Sequence, residues 1–295
     1  MEKLHSLSLE QKENAKHGDA LFPLQKYITW LTPEDPVVTT HWHNEAELTL
    51  ITKGKCQYRI DLVDYEAKTG DMIFIPPKLL HSVSLDKENE YLSETYVFHM
   101  NFLGGNSTDI CSTRYLTPII NQEISMPYLI TPEHAAYTSL RNIFSKITSL
   151  YDETIIGYEL ALKAMLLQAV FLLLQYSEKK PNSNAVTYSD KLKQVLDYIE
   201  LHYEEQITVS DLAGICYFSE YHFMRFFKKH MNMTCIEYIN NLRLEKAVEM
   251  FEQGNTSILD VSLSVGFHNL SYFHRAFKKK YNMTPLSFIK QLNSD

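Results

Sequence analysis

His41, His43 and Glu47 fall within one short run, His41-Trp42-His43-Asn44-Glu45-Ala46-Glu47, and His81 follows downstream of Gly70 and Pro76. On an extended strand, residues two or four apart face the same side, so His41, His43 and Glu47 can point inward together while Trp42 points away; Glu45, like Trp42, is assigned no ligand role. With His81 from another strand they would offer three imidazoles and one carboxylate, a set that suits Zn²⁺, Ni²⁺, Mn²⁺ or Fe²⁺. The same four side chains could equally line a small-molecule pocket through hydrogen bonds, or be core polar groups satisfied locally.

A repeat carries a second chemistry. Phe223-Met224-Arg225-Phe226-Phe227-Lys228-Lys229, followed by Asn232-Met233-Thr234, returns 50 residues later as Phe273-His274-Arg275-Ala276-Phe277-Lys278-Lys279, followed by Asn282-Met283-Thr284. Internal repetition constrains architecture before any local assignment is made. At helical spacing the phenylalanines share one face, and the opposite face shows Tyr221, Met224, Arg225 and Lys228 in the first copy. In the second copy that face shows Leu270, Ser271, His274, Arg275 and Lys278. Each helix could bury its phenylalanines, aim its arginine at base edges, and lay the paired lysines, Lys279 among them, along phosphates.

The elements that must position these residues follow from local pattern. Thr208 or Ser210 can cap a short helix and Ser219 the next. In the second copy a helix over 258–262, a turn at Val265-Gly266-Phe267 and a helix over 269–281 repeat the layout that sends a second helix into a major groove. A helix over 236–252 joins the copies and would hold both readers on one face of double-stranded DNA, roughly 34 Å apart. Before Met126, runs at 48–52, 56–62, 71–75, 81–84 and 94–102 predict strands of an antiparallel sandwich or barrel. Helical spacing follows over 133–151 and 155–176. The second of these, with Leu160, Ala164, Leu167, Phe171 and Leu174, is apolar on nearly every side, which predicts either burial in its own domain or a homodimer face. The polar segment Pro181-Asn182-Ser183-Asn184 reads as a linker.

Net charge is −8, with 45% hydrophobic and 22% charged residues, a globular balance. Residues 190–295 hold 12 basic against 13 acidic side chains, so DNA binding would rest on clustered charge at Arg225, Lys228, Lys229, Arg275, Lys278, Lys279 and Lys280. Four scattered cysteines, no apolar leader at the N-terminus and no apolar run long enough for a membrane span predict a cytoplasmic protein without membrane contact.

Val261 to Phe267, then Ser271-Tyr272-Phe273-His274-Arg275-Ala276-Phe277-Lys278-Lys279 and Asn282-Met283-Thr284-Pro285, resemble the signature of AraC/XylS-type transcription regulators. The resemblance spans roughly 190–292 and implies seven helices with two helix-turn-helix units. It places base contacts on Tyr221, Met224 and Arg225 and on Leu270, Ser271, His274 and Arg275. Ser262 stands where that family usually has alanine, and Cys235 where it has proline. His41, His43 and Glu47 with Gly54, and Gly70, Pro76 and His81, resemble the two cupin motifs, with Lys78 in place of a usual glycine and Leu85 where asparagine is common.

The resulting expectation is a mixed α and β chain of two domains. It has an arm over 1–25, a cupin-like β-barrel over 26–126, a helical, dimerising pair over 127–178 and a linker over 179–189. An all-α DNA-binding domain with two helix-turn-helix units occupies 190–295. The function implied is sequence-specific regulation of transcription in response to a small-molecule effector at His41, His43, Glu47 and His81, with carbohydrates the class the family suggests and RNA polymerase a further partner. The alternative is a metal sensor or a metal-dependent cupin enzyme. The fused pair of groove readers argues against the enzyme.

Overall fold

The computed structural model describes residues 18, 22–85, 90–104, 109–179, 187–231 and 233–292. Two compact units meet in sequence between residues 185 and 186. Most of the expected arm, the linker at 181–184 and Asn232 lie outside the described residues.

The first unit contains β1 (Leu24–Leu31), β2 (Val37–His41), β3 (Ala46–Lys53), β4 (Lys55–Ile60), β5 (Val63–Lys68), β6 (Met72–Ile75), β7 (His81–Ser84) and β8 (Tyr91–Phe98). After these come α1 (Met100–Leu103), a π-helical turn at Ser112–Leu116 and α2 (Thr117–Ile120). The short strands β9 (Ile124–Ser125) and β10 (Leu129–Ile130), helices α3 (Tyr137–Glu153) and α4 (Tyr158–Leu174), and β11 (Glu178–Lys179) complete it. One antiparallel sheet runs β1-β8-β3-β6-β10 and a second β2-β7-β4-β5, with β11 pairing β9.

Period-two alternation makes the larger sheet serve two cores. Ala46, Leu48 and Leu50 of β3, Met72 and Phe74 of β6, and Tyr96 and Phe98 of β8 pack with Leu140, Phe144 and Ile147 of α3 and Leu162 and Leu166 of α4. The intervening residues Ile51, Ile73, Ile75 and Tyr91 pack instead with Tyr58, Ile60 and Val83 of the second sheet. Glu47 and Thr49 have the parity of this inner row.

Three expectations about the strands change. The strand expected over 94–102 ends at Phe98, because His99 caps α1 by accepting from the Asn101 N–H at 3.2 Å. The strand expected over 56–62 ends at Ile60, because Asp61 and Leu62 take φ of 50° and 66° and close a two-residue hairpin. β1, β2 and β5 had no counterpart in the pattern reading. Exposed apolar residues blur the alternation of β1 and β5, as with Ile28, Trp30 and Val63, and half-burial along β2 blurs it there.

On α4 the structure separates two faces. Leu162, Leu166, Ala169, Val170 and Leu173 are buried, whereas Leu160 and Phe171 are 75% and 63% exposed. The stripe picked out in sequence therefore contains the outward face.

The second unit has seven helices among the described residues: α5 (Tyr188–His202), α6 (Val209–Cys216), α7 (Glu220–Met231), α8 (Cys235–Glu252), α9 (Ile258–Ser264), α10 (Leu270–Tyr281) and α11 (Pro285–Leu292). Thr187, Thr208 and Thr234 open α5, α6 and α8 through reciprocal capping boxes with Asp190, Asp211 and Glu237. Lys191 reaches the far end of α6, donating to the Cys216 carbonyl at 2.8 Å with Nζ over the Phe218 ring.

The two units of the repeat turn alike. Phe218 N–H donates to Ala213 O at 3.0 Å and Phe267 N–H to Ser262 O at 2.8 Å, each across a left-handed residue, Tyr217 (φ 56°) or Gly266 (φ 87°). The extra residue of the second turn is His268, between Phe267 and the α10 cap Asn269. A Cβ on Gly266 would sit 2.7 Å from Glu204 O and 2.8 Å from Tyr203 O, whereas one on Gly254 (φ 95°) would meet nothing within 4 Å. Gly254→Ala is therefore expected to cost about 1 kcal/mol of conformational strain and Gly266→Ala to exceed it by about 1–3 kcal/mol. Thermal unfolding of the two variants compares them, and equal losses would show that the turn can move away from α5.

Candidate functional site

The second and third strands bring the histidine cluster together, but not as one continuous strand. His41 ends β2, Glu47 lies in β3, and His43 sits in the irregular crossing between the two sheets. His81 opens β7 and pairs in register with His41. Lys78, in place of the glycine common to cupin motifs, holds φ 64°. Its N–H donates to His43 O at 2.7 Å and its carbonyl accepts from Gln122 Nε2 at 2.9 Å, so hydrogen bonds hold the left-handed backbone.

One ligand atom from each of His41, His43, Glu47 and His81 lies within 4.8 Å of the others. Each imidazole has a backbone carbonyl beside Nδ1: Thr39 O at 2.8 Å for His41, Glu45 O at 3.2 Å for His43 and Leu79 O at 2.8 Å for His81. These acceptors assign the ring proton to Nδ1 and leave the Nε2 lone pairs for the centre, the orienting arrangement of metal-ligating histidines. His43 Nε2 then stands 3.0 Å from Glu47 Oε1, and His81 Nε2 stands 3.6 Å from the same oxygen, buried and without a hydrogen bond. Lone pairs facing a carboxylate need a cation or a proton between them.

Burial first, then the charges of His81 and His43, push His41 down to about 3. Burial alone would raise Glu47, but when the Nε2 atoms are protonated as well, the charge of His81 and the hydrogen bond from His43 outweigh it and hold the carboxyl well below its usual range. The interior therefore favours an ionised carboxylate among imidazoles, which a divalent ion fits. Nearby inner-row residues are also polar: Thr49 bonds Thr95 at 2.9 Å, and Tyr58 bonds Tyr91 at 2.8 Å.

In the second unit Phe223, Phe226 and Phe227 of α7 and Phe273 and Phe277 of α10 are buried. Tyr221, Met224, Arg225 and Lys228 are exposed on α7, as are Leu270, Ser271, Arg275, Lys278 and Lys279 on α10, with His274 half-buried. Arg225 lies over the Tyr221 ring at 5.7 Å and Arg275 over Tyr272 at 6.0 Å. Lys228 and Lys279, one from each unit of the repeat, both act on Glu237 at the start of α8.

Residues 28–170 match the AraC-like ligand binding domain and residues 212–291 a helix-turn-helix domain. The HTH-type transcriptional regulator YdeC of Bacillus subtilis is 28% identical over 287 residues, 96% of this chain and 97% of its own. The chain belongs to the AraC family of transcription regulators. The bifunctional transcriptional activator/DNA repair enzyme AdaA of Bacillus subtilis is 37% identical to this regulator over 94 residues, 32% of this chain and 44% of its own. A crystal structure of ToxT from Vibrio cholerae O395 bound to (E)-4-(8-methylnaphthalen-1-yl)but-3-enoic acid covers 91% of the AraC-family chain and 99% of its own at 16% identity, with a TM-score of 0.41.

Within this AraC-family regulator, Lys280 departs from the expected basic cluster. It turns inward, donating to Glu245 Oε1 at 2.6 Å and Asn241 O at 3.2 Å. Its spacing from Phe273 and Phe277, seven and three residues, places it on the core side of α10, a signal present in the sequence. Pattern reading also passed over Tyr272, whose hydroxyl accepts from Asn240 Nδ2 at 3.0 Å, and Arg243, which ties α8 to Tyr203 O and Glu205 O at 2.6 Å each. No short-range spacing announces contacts between helices that lie more than 30 residues apart.

Lys279→Ala is expected to lower the salt slope of DNA binding by about one unit. Lys280→Ala should leave that slope intact and cost about 1–3 kcal/mol of stability by stranding Glu245. Binding isotherms at several salt concentrations, paired with unfolding curves, separate the two. A reversed pattern would put Lys280 at the phosphates.

Proposed function

We propose that this AraC-family regulator binds a divalent metal ion through His41, His43, Glu47 and His81, and that occupancy of this site changes how α7 and α10 are presented to two successive major grooves. The observation that carries the metal reading is the orientation of the rings. Backbone carbonyls hold three Nδ1 protons outward, so three Nε2 lone pairs and a carboxylate converge on one point. Zn²⁺, Mn²⁺, Ni²⁺ and Fe²⁺ all accept such donors. The ion would supply the positive charge that the donor set lacks.

Titration of the full chain with each ion, followed by thermal unfolding, tests the reading. An ion at 100 times its Kd should stabilise the protein by about 2.7 kcal/mol. Glu47→Gln should weaken binding by about 100-fold or more, beyond the loss expected for an orienting partner. Substoichiometric uptake, or equal affinity in Glu47→Gln, would remove the metal from the mechanism. Turnover of a substrate by the loaded protein would favour the cupin enzyme instead.

The polar inner row supports a second reading, in which a small-molecule effector is hydrogen-bonded beside the cluster. Thr49, Thr95, Tyr58 and Tyr91 are buried hydroxyl groups on facing sheets, and a polyhydroxylated carbohydrate is the ligand class they would suit. A thermal-shift panel of sugars run with and without metal distinguishes it from the ion acting alone.

The outward stripe of α4 supports a homodimer, with Leu160 and Phe171 meeting their symmetry mates. Paired DNA readers from two chains also compensate for the near-neutral charge of 190–295. Leu160→Glu and Phe171→Glu together should shift the protein to monomer in light scattering and weaken operator binding while leaving the fold intact. A dimer that survives the double change must use another surface. Activation of transcription would add RNA polymerase as a partner.

A further inference from the structure

The two reading helices keep their arginine and exchange the chemistry around it. At the 50-residue offset of the repeat, Arg225 corresponds to Arg275, but Tyr221 corresponds to Ser271 and Met224 to His274. On α7, Tyr221 and Met224 are 67% and 46% exposed. Arg225 Nη1 donates to the Tyr221 hydroxyl at 3.4 Å with the guanidinium over its ring, so that hydroxyl is engaged in holding the arginine. Met224 contributes a thioether, a weak acceptor without a donor. Beyond the remaining N–H groups of Arg225, the O–H proton of Tyr221 and the ammonium of Lys228 at the phosphate side, this face offers apolar surface. On α10, Ser271 and His274 offer a hydroxyl and an imidazole beside Arg275, and Leu270, at the position of Glu220 and 37% exposed, is the apolar member of that face at the helix start.

In a major groove, the two acceptors of guanine suit a bidentate arginine, and the C5-methyl of thymine is the apolar feature that distinguishes one base from another. We propose that the first unit reads thymine methyl groups beside a guanine, with Met224 and the Tyr221 ring on the methyls and Arg225 on the guanine, while the second unit reads hydrogen-bonding edges through Ser271, His274 and Arg275. The two halves of the site then differ in base chemistry, and the difference fixes the direction in which each chain lies on the duplex. This inference rests on the assignment of α7 and α10 as DNA readers.

The test uses the full chain and a duplex enriched by it from a random-sequence pool, with each candidate divalent ion present in turn. Every thymine is replaced singly by deoxyuridine, which removes the methyl group and keeps all hydrogen-bonding groups. Binding should weaken about fourfold at one or two positions confined to one half of the site, the loss expected for one buried methyl. Met224→Ala should bind the parent duplex more weakly and become indifferent to uracil at those positions. Met224→Gln should move the preference there toward adenine. Uniform tolerance of uracil, or unchanged uracil sensitivity in Met224→Ala, overturns methyl reading while leaving DNA recognition standing. Failure to enrich any duplex overturns both.

Discussion

Strands β3 and β6 of the five-stranded sheet are buried on both faces over most of their length, and the chemistry of the first unit depends on that constraint. Along β3, Ala46, Leu48 and Leu50 go to the helices, while Glu47, Thr49 and Ile51 go to the space between the sheets. A polar residue in the second set is enclosed, and enclosure is costly unless its hydrogen bonds or charges are met. Thr49 meets Thr95 across the sheet, Tyr58 meets Tyr91 between sheets, and Glu47 meets His43. Enclosure also forces ring orientation, since each imidazole must place its Nδ1 proton on a nearby carbonyl. The convergence of His41, His43, Glu47 and His81 is thus a consequence of packing around polar side chains as much as of their identity.

The helical unit solves a different problem, that of keeping the outer faces of α7 and α10, the proposed DNA readers, exposed while anchoring the helices that bear them. Its anchors are interior or backbone-directed. Arg243, its charge disfavoured chiefly by burial, reaches two carbonyls at the end of α5 and lies over the Phe267 ring. Gly266 lets the second turn press against the neighbouring carbonyls of Tyr203 and Glu204, whereas Tyr217 at the matching position of the first turn is 91% exposed. Lys280 is consumed in the same way by Glu245. What remains exposed for the proposed DNA contacts is a smaller set of cations than a count of basic residues suggests.

Much of this architecture was legible in order and type. The phenylalanine spacing of the repeat identified the buried sides of α7 and α10, and Thr208, one of two caps considered, located the start of α6. Among the strands without a counterpart, β1 and β5 carry exposed apolar residues, Ile28, Trp30 and Val63, and β2 is half-buried at four of its five positions, so their periodicity is weak. The end of β8 was missed because a capping interaction of His99, invisible to an alternation rule, starts a helix there. In α4 the composition showed an excess of apolar residues, but not which stripe would face outward, since a helix apolar all round gives no direction.

The amino-acid sequence by itself determined the repeat, the family and the identities of the four clustered ligand candidates, because these depend on residue type and spacing along the chain. Only the tertiary structure decided that His41 and His43 leave different parts of a crossing between sheets and still converge with His81 and Glu47. It alone turned Lys280 inward, set Arg225 on Tyr221 and Arg275 on Tyr272, and exposed Leu160 and Phe171. The physical reason is common to all of these. They are fixed by burial and by partners distant in sequence or a helical turn away in space, and such partners exist only once the chain has folded.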